Sequence, residues 1–255
     1  MRRLGVLLLV AVAVPALSPA HAADAPTCGG RPATIVGTPG QDVIVGTPGP
    51  DVIAALAGDD VVRGGGGDDV MCGGRGRDRL VSHRGRDTFH GGPGGDRIEA
   101  RSPLPSRILG GAGDDFLFLP ITDEPGYVLD GGPGHDIGEI SRHRGATSDA
   151  GATVDQRTER FVRDGITTGV VRGLELVGLD GEIPYVYYGT RAQDLVSVSS
   201  DLPLVARTYG GDDRVVGGAG DDVVDTGRGQ DRIDAGNGHD TCLNAERRTG
   251  CEVTS

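Results

Sequence analysis

From residue 37 onward the chain alternates between two kinds of stretch on a fixed beat of nine. Six residues rich in Gly and polar side chains are followed by three whose middle member is apolar. The first run reads GTPGQDVIV, GTPGPDVIA, ALAGDDVVR, GGGGDDVMC, GGRGRDRLV, SHRGRDTFH, GGPGGDRIE, seven units without a gap over residues 37–99. A second run over 208–243 holds four more, TYGGDDRVV, GGAGDDVVD, TGRGQDRID and AGNGHDTCL, and single units stand at 110–118, 131–139 and 189–197. Alternation at positions 7 to 9 predicts a three-residue strand whose position 8 points inward. In the first run these residues are Ile44, Ile53, Val62, Met71, Leu80, Phe89 and Ile98. One unit cannot bury its single apolar side chain, so the units must stack. Two of them make one 18-residue coil with a strand on each face and a turn on each side. The expected fold class is all-β, a solenoid of short strands.

The polar columns carry the chemistry. Gly at positions 1, 2 and 4 lets the backbone take φ > 0 and turn sharply, which a Cβ would penalise. Position 6 is Asp in all fourteen units. Stacking would place Asp42, Asp60, Asp78 and Asp96 in a row along one side, and Asp51, Asp69 and Asp87 along the other. Carboxylates one coil apart repel each other unless a cation lies between them. Many flexible, hard oxygen ligands suit Ca²⁺ better than Mg²⁺ or Zn²⁺.

The pattern GGxGxDxUx, seen intact in GGAGDDVVD at 217–225, is similar to the calcium-binding nonapeptide of the RTX (repeats-in-toxin) family. The resemblance implies a parallel β-roll in which each Ca²⁺ sits between a turn and the next turn on the same side, held by position 6 Asp and backbone carbonyls. Carried onto this chain, it implies five ions in the first run, at Asp42/Asp60, Asp60/Asp78, Asp78/Asp96, Asp51/Asp69 and Asp69/Asp87. It implies two more in the second, at Asp213/Asp231 and Asp222/Asp240, with Asp115, Asp136 and Asp194 of the single units as further candidates. Ala55-Leu56 and Ser82-His83 depart from the Gly pair, which weakens the case for the sites using Asp60 and Asp87.

The segment 100–207 is less regular. RSPLPSRIL at 101–109 and SSDLPLVAR at 199–207 keep inward Ile108 and Ala206 but have no position 6 Asp. Residues 140–171 are polar and hold SRHRGATSDAG, expected to be an outward loop, while GATVDQRTERFVRDG could equally be a strand pair. The resulting division is a leader at 1–22, an N-terminal cap at 23–36, repeat blocks at 37–99 and 208–243 flanking a degenerate solenoid with insert at 100–207, and a C-terminal cap at 244–255.

Arg2 and Arg3, the apolar stretch 4–17 and Ala20-His21-Ala22 have the form of a secretory leader cleaved after Ala22. That apolar run is shorter than the ~20 residues a membrane span needs. In an exported chain four cysteines form two disulfides. Of the three possible connectivities, Cys28–Cys72 with Cys242–Cys251 is expected, because the latter pair closes the last coil and the former ties an N-terminal arm to the first block. Gly (46) and Pro (15) make up about twice their usual share of the 255 residues, which excludes a thick helical or α/β core. The net charge of −12 excludes a nucleic-acid footprint. No HExxH, GxSxG or Walker loop occurs. A non-enzymatic, extracellular calcium-binding protein that folds on binding its ions is the leading expectation. The alternatives are a carbohydrate-active or sugar-binding protein using the middle region, with Tyr185, Tyr187, Tyr188 and Arg191 on its face or His143 in play, and a calcium-dependent adhesin or matrix protein with a polysaccharide or cell-surface partner.

Overall fold

The computed structural model describes residues 26–142, 151–163, 166–181 and 183–254. The leader-like segment with its cleavage position, and His143, lie outside them. Among the described residues every regular element is a strand, and outside an N-terminal hairpin and one three-stranded meander successive strands join two opposed sheets in turn, giving a β-solenoid of about 11 turns. One sheet has 11 strands, from Val43–Val45 to Arg247–Thr249, and the other 14, from Ile35–Val36 to Cys251–Thr254. The nine-residue beat sets the register. Val43 pairs with Val61 and Val52 with Val70, both parallel and both 18 residues on. Between the sheets Ile44, Val62, Leu80, Ile98 and Leu117 face Ile53, Met71, Phe89, Ile108 and Leu129, all less than a tenth exposed. The core is one side chain deep per coil. Backbone ladders and turns therefore carry much of the architecture.

Past residue 99 the coils lengthen, but the sheets continue. Phe116 pairs with Arg97 at a step of 19 residues, and Ile137 with Phe116 at 21. The extra residues are taken up in the turns, so the inward column holds. Where that column reads Gly138, the vacant volume is filled by Leu174, whose methyl a Cβ on Gly138 would strike.

Of the expected outward loop at 141–151, residues 143–150 lie outside the described residues, while the stretch 151–163 takes the strand-pair form. Ile140 lies in the strand Ile137–Arg142 of the 11-stranded sheet, and Ala152, Val154, Phe161 and Val171 are all buried. Ala152–Asp155, Arg160–Arg163 and Ile166–Arg172 form an antiparallel meander spliced into the 14-stranded sheet. Its outer strands pair in parallel with Tyr127–Asp130 on one side and Tyr185–Tyr188 on the other. Arg163, almost wholly buried, pairs with Asp123 at 3.1 Å. Tyr185 and Tyr187 also point into the core, at 1% and 0% exposure, so they do not line a sugar-binding face. Their alternation with Val186 and Tyr188 is that of packing. The hydroxyl of Tyr185 donates to the Asp180 carbonyl at 2.7 Å.

Both ends are tied. Cys28, in the hairpin Thr27–Cys28/Arg31–Pro32, is bonded to Cys72, over a small satellite cluster of Val52, Ala54 and Val70. Cys242 is bonded to Cys251 across the last two strands of the 14-stranded sheet. No helix among the described residues is long and apolar enough to cross a membrane.

Candidate metal centre

The turn GGPGGD at 91–96 shows how the sequence builds the site. Gly92 and Gly94 take φ of 118° and 146°, a region that L side chains disfavour. A Cβ on either would lie under 3.0 Å from the carbonyl oxygen of Gly74 or Gly76 in the preceding coil. The turns therefore nest at a separation only glycine permits, with their carbonyls facing the next coil. At position 1 the crowding comes from oxygen. A Cβ on Gly91 would come within 3.0 Å of both the Asp96 Oδ2 atom and the Gly110 carbonyl. The same two kinds of oxygen converge at Gly110 (Asp115 Oδ2 and Gly131 O), Gly131 (Asp136 Oδ2 and Gly173 O) and Gly217 (Asp222 Oδ2 and Ala235 O).

Each position 6 Asp stands at or just before the start of a strand, and in all but Asp42, Asp51 and Asp194 its carboxylate accepts an N–H from the coil before it. The N–H of Asp78 donates to Asp96 Oδ1 at 2.8 Å, that of Asp60 to Asp78 Oδ1 at 2.8 Å, and that of Asp42 to Asp60 Oδ1 at 2.7 Å. On the opposite edge Asp51 donates to Asp69 and Asp69 to Asp87, both at 2.9 Å. Asp213 with Asp231 and Asp222 with Asp240 repeat the geometry near the other end, each at 2.8 Å. The pairs expected from the repeat frame are thus neighbours in space. Asp60 and Asp87 stand in the rows like the others. Where Leu56 replaces a turn glycine, it adopts φ of 85° itself.

Oδ1 is engaged; Oδ2 is the anomaly. In ten of these residues (Asp60, Asp69, Asp78, Asp87, Asp96, Asp115, Asp136, Asp213, Asp231 and Asp240) Oδ2 is buried without a hydrogen-bond partner. A buried, unsatisfied carboxylate oxygen is among the costliest arrangements a fold can hold. Burial pushes the carboxyls of Asp69, Asp78, Asp115, Asp136 and Asp213 up to about 6 from 3.8, and that of Asp96 to about 7. Neighbouring carboxylates add to the rise, while the N–H bonds partly oppose it. Among the described residues no three acidic, His or Cys side chains gather as a cluster. The carboxylates meet in pairs, so further ligands for a cation would be the turn carbonyls. That donor set, all oxygen and partly main-chain, fits Ca²⁺.

Three features lay outside the frame of the repeat. In four turns Oδ2 is already satisfied. Thr38 donates its N–H and Oγ1–H to Asp42 at 2.6 and 3.0 Å, Thr47 does the same for Asp51 at 2.6 and 2.9 Å, Thr190 serves Asp194, and the Gly218 N–H serves Asp222 at 3.1 Å. The GTPG spelling, readable only as a Gly-pair variant, is a self-capping turn. Position 5 Asp residues have a structural role, as Asp59, Asp68 and Asp114 accept the N–H groups of Arg77, Arg86 and His135 one coil on. Finally, the row on the edge of the 11-stranded sheet continues through the irregular middle by way of Asp115, Asp136, Glu175 and Asp194, whereas the other edge substitutes Ser106, Tyr127, Tyr185 and Leu204.

Residues 36–71, 45–80, 73–102, 106–119 and 208–242 match the family model described as RTX calcium-binding nonapeptide repeat (4 copies), together just under half of the chain. No curated protein matches the sequence.

Proposed function

The repeat blocks of this chain are RTX calcium-binding nonapeptide repeats, and from that premise we propose that the protein is a secreted calcium binder whose solenoid forms when Ca²⁺ fills its paired turns. The observation that carries this reading is the set of ten buried, unpartnered Oδ2 atoms. At roughly 1–3 kcal/mol for each unsatisfied buried group, their combined cost is as large as or larger than the ~5–15 kcal/mol net stability of an ordinary domain. A core one side chain deep offers little to offset it. A divalent ion between turns converts each orphan oxygen into a ligand, and the free energy of binding becomes free energy of folding.

Extracellular calcium modules bind in the ~10⁻⁴–10⁻³ M range, so sites of this type would stay empty wherever free calcium is scarce. Export is supported by the leader-like residues 1–22 and by two disulfides, a bond type that persists in oxidising compartments. The carboxylates are assigned to holding metal, and no step of catalysis is assigned to them. The test is far-UV circular dichroism and hydrodynamic radius of the full chain in EGTA, in millimolar Mg²⁺ and in millimolar Ca²⁺. Gain of β signal and compaction in Ca²⁺ alone is the expected result, and an unchanged β spectrum in EGTA would overturn the reading.

A further inference from the structure

Three turns of the solenoid are not nonapeptide turns. Gly173-Leu174-Glu175 and Asn244-Ala245-Glu246 each use three residues where the repeat uses six, and Gly250 alone links the last two strands, with Cys251 and Glu252 opening the final one. They share one design. The first residue takes positive φ, 62° at Gly173, 60° at Asn244 and 76° at Gly250. The second is apolar and tucks inward, fully at Leu174 and Ala245 and partly at Cys251. The third is Glu; Glu175 and Glu246 stand where position 6 Asp stands elsewhere, and Glu252 lies at the register shift just before Val253, which pairs with Thr241. Leu176, which follows Glu175, pairs with Ile137, which follows Asp136. Arg247, following Glu246, pairs with Arg232, following Asp231.

The longer Glu side chain bridges the distance that the shorter turn leaves. Glu175 Oε2 accepts the N–H of Asp136 at 2.6 Å and Glu246 Oε2 that of Asp231 at 2.6 Å, and Glu252 Oε2 does the same for Asp240. This is the bond that Oδ1 accepts at each position 6 Asp from Asp60 to Asp136 and from Asp213 to Asp240. In all three cases the Asp beneath the glutamate is at most 1% exposed, and its Oδ2 atom has no partner. At the first of them the Gly173 carbonyl also crowds the Gly131 cradle beside Asp136 Oδ2, as Gly131 O does one coil earlier beside Asp115.

We propose that these glutamates are metal ligands, completing three divalent-cation sites, Asp136/Glu175, Asp231/Glu246 and Asp240/Glu252, that the nonapeptide pattern does not mark. The proposal rests on the calcium reading above, and its rival is that each Glu serves only as an acceptor for an N–H. Glutamine separates the two, because it keeps the acceptor and removes the charge. Calcium bound per chain is counted by equilibrium dialysis and calorimetry on the full chain, for wild type, Glu175→Gln, and the triple variant Glu175→Gln/Glu246→Gln/Glu252→Gln. Circular dichroism in saturating calcium reports the fold. The expected result is a loss of one ion in the single variant and three in the triple, with the β signal kept. An unchanged count in a folded variant overturns the proposal. Should Glu175→Gln not fold, Glu246→Gln and Glu252→Gln, in the last coils, must each lose one ion, and undiminished counts in both overturn it equally. A wild-type chain that binds no calcium would instead refute the underlying reading, whatever the variants do.

Discussion

Replacing Asp96 by Asn should have opposite effects with and without calcium. Asp96 is 2% exposed, its Oδ1 accepts the Asp78 N–H at 2.8 Å, and its Oδ2 has no partner. Asn preserves the acceptor. It also replaces the charged Oδ2, which faces the same Gly91 cradle as the Gly110 carbonyl, by a neutral NH₂ that can donate. Burial first, then the Asp78 and Asp115 carboxylates, push the Asp96 carboxyl from 3.8 to about 7 in the metal-free fold. At ~1.4 kcal/mol per tenfold change in proton affinity, keeping it ionised above neutrality costs that fold on the order of 4 kcal/mol. The substitution removes this cost. In calcium it removes a charged ligand shared by the Asp78/Asp96 and Asp96/Asp115 pairs, and affinity should fall by tenfold or more. The assay titrates a stabilising osmolyte into the EGTA-treated chain at pH 7.5, alongside a calcium titration without osmolyte. The variant should fold at a lower osmolyte concentration than wild type yet need more calcium. A variant that needs as much osmolyte as wild type, or more, would refute the reasoning.

Acid should partly replace calcium. Carboxyls raised to about 6–7 bind more protons folded than unfolded. Metal-free stability is therefore highest below the unfolded value near 3.8 and is lost as pH rises through 7. Circular dichroism in EGTA should show β signal returning between pH 7 and 5, and a pH-independent spectrum would contradict this. Gly92→Ala, at φ 118° and against the Gly74 carbonyl, should cost ~3 kcal/mol or more in calcium. Gly40→Ala, with only Thr38 Oγ1 within 4 Å at 3.9 Å, should change stability by less than ~0.5 kcal/mol, so equal effects in urea melts would count against the nested-turn geometry. Removing the Cys28–Cys72 bridge by a double Ser substitution should cost about 2–4 kcal/mol. Hydrogen exchange should place the loss around Val52 and Val70, and uniform loss along the solenoid would show that the bridge is not a local clamp.

What the sequence made legible follows from its period. Every position 8 residue of the first run from Ile44 to Ile98 is inward, and every position 6 Asp of both runs lies in one of two rows, because nine residues per half-coil leave no freedom of register. Glu175, Glu246 and Glu252 escaped notice because a three-residue turn breaks the count and the replacement is a different residue. The caps from Thr38 and Thr47 were hidden for another reason, since a hydroxyl becomes a carboxylate partner only once the turn has closed. The strand pair at 151–163 was legible only as an alternative to a loop, because its pairing is antiparallel and obeys no repeat, so Val154 and Phe161 find each other only across a hairpin. Tyr185 and Tyr187 show the limit of alternation. It separates two faces without saying which is inside, and only the register with Ala152, Val154, Leu204 and Ala206 decides.

The central claim concerns where an ion sits, so the most direct measurement is crystallographic. Crystals grown in millimolar calcium and measured at a long wavelength, where calcium scatters anomalously, should show peaks along both edges of the solenoid. Each should lie about 2.3–2.6 Å from an Asp Oδ2 that is unpartnered here, with Asp69, Asp78 and Asp96 among them. A well-ordered solenoid in the same calcium with no such peak beside those three residues would contradict the account.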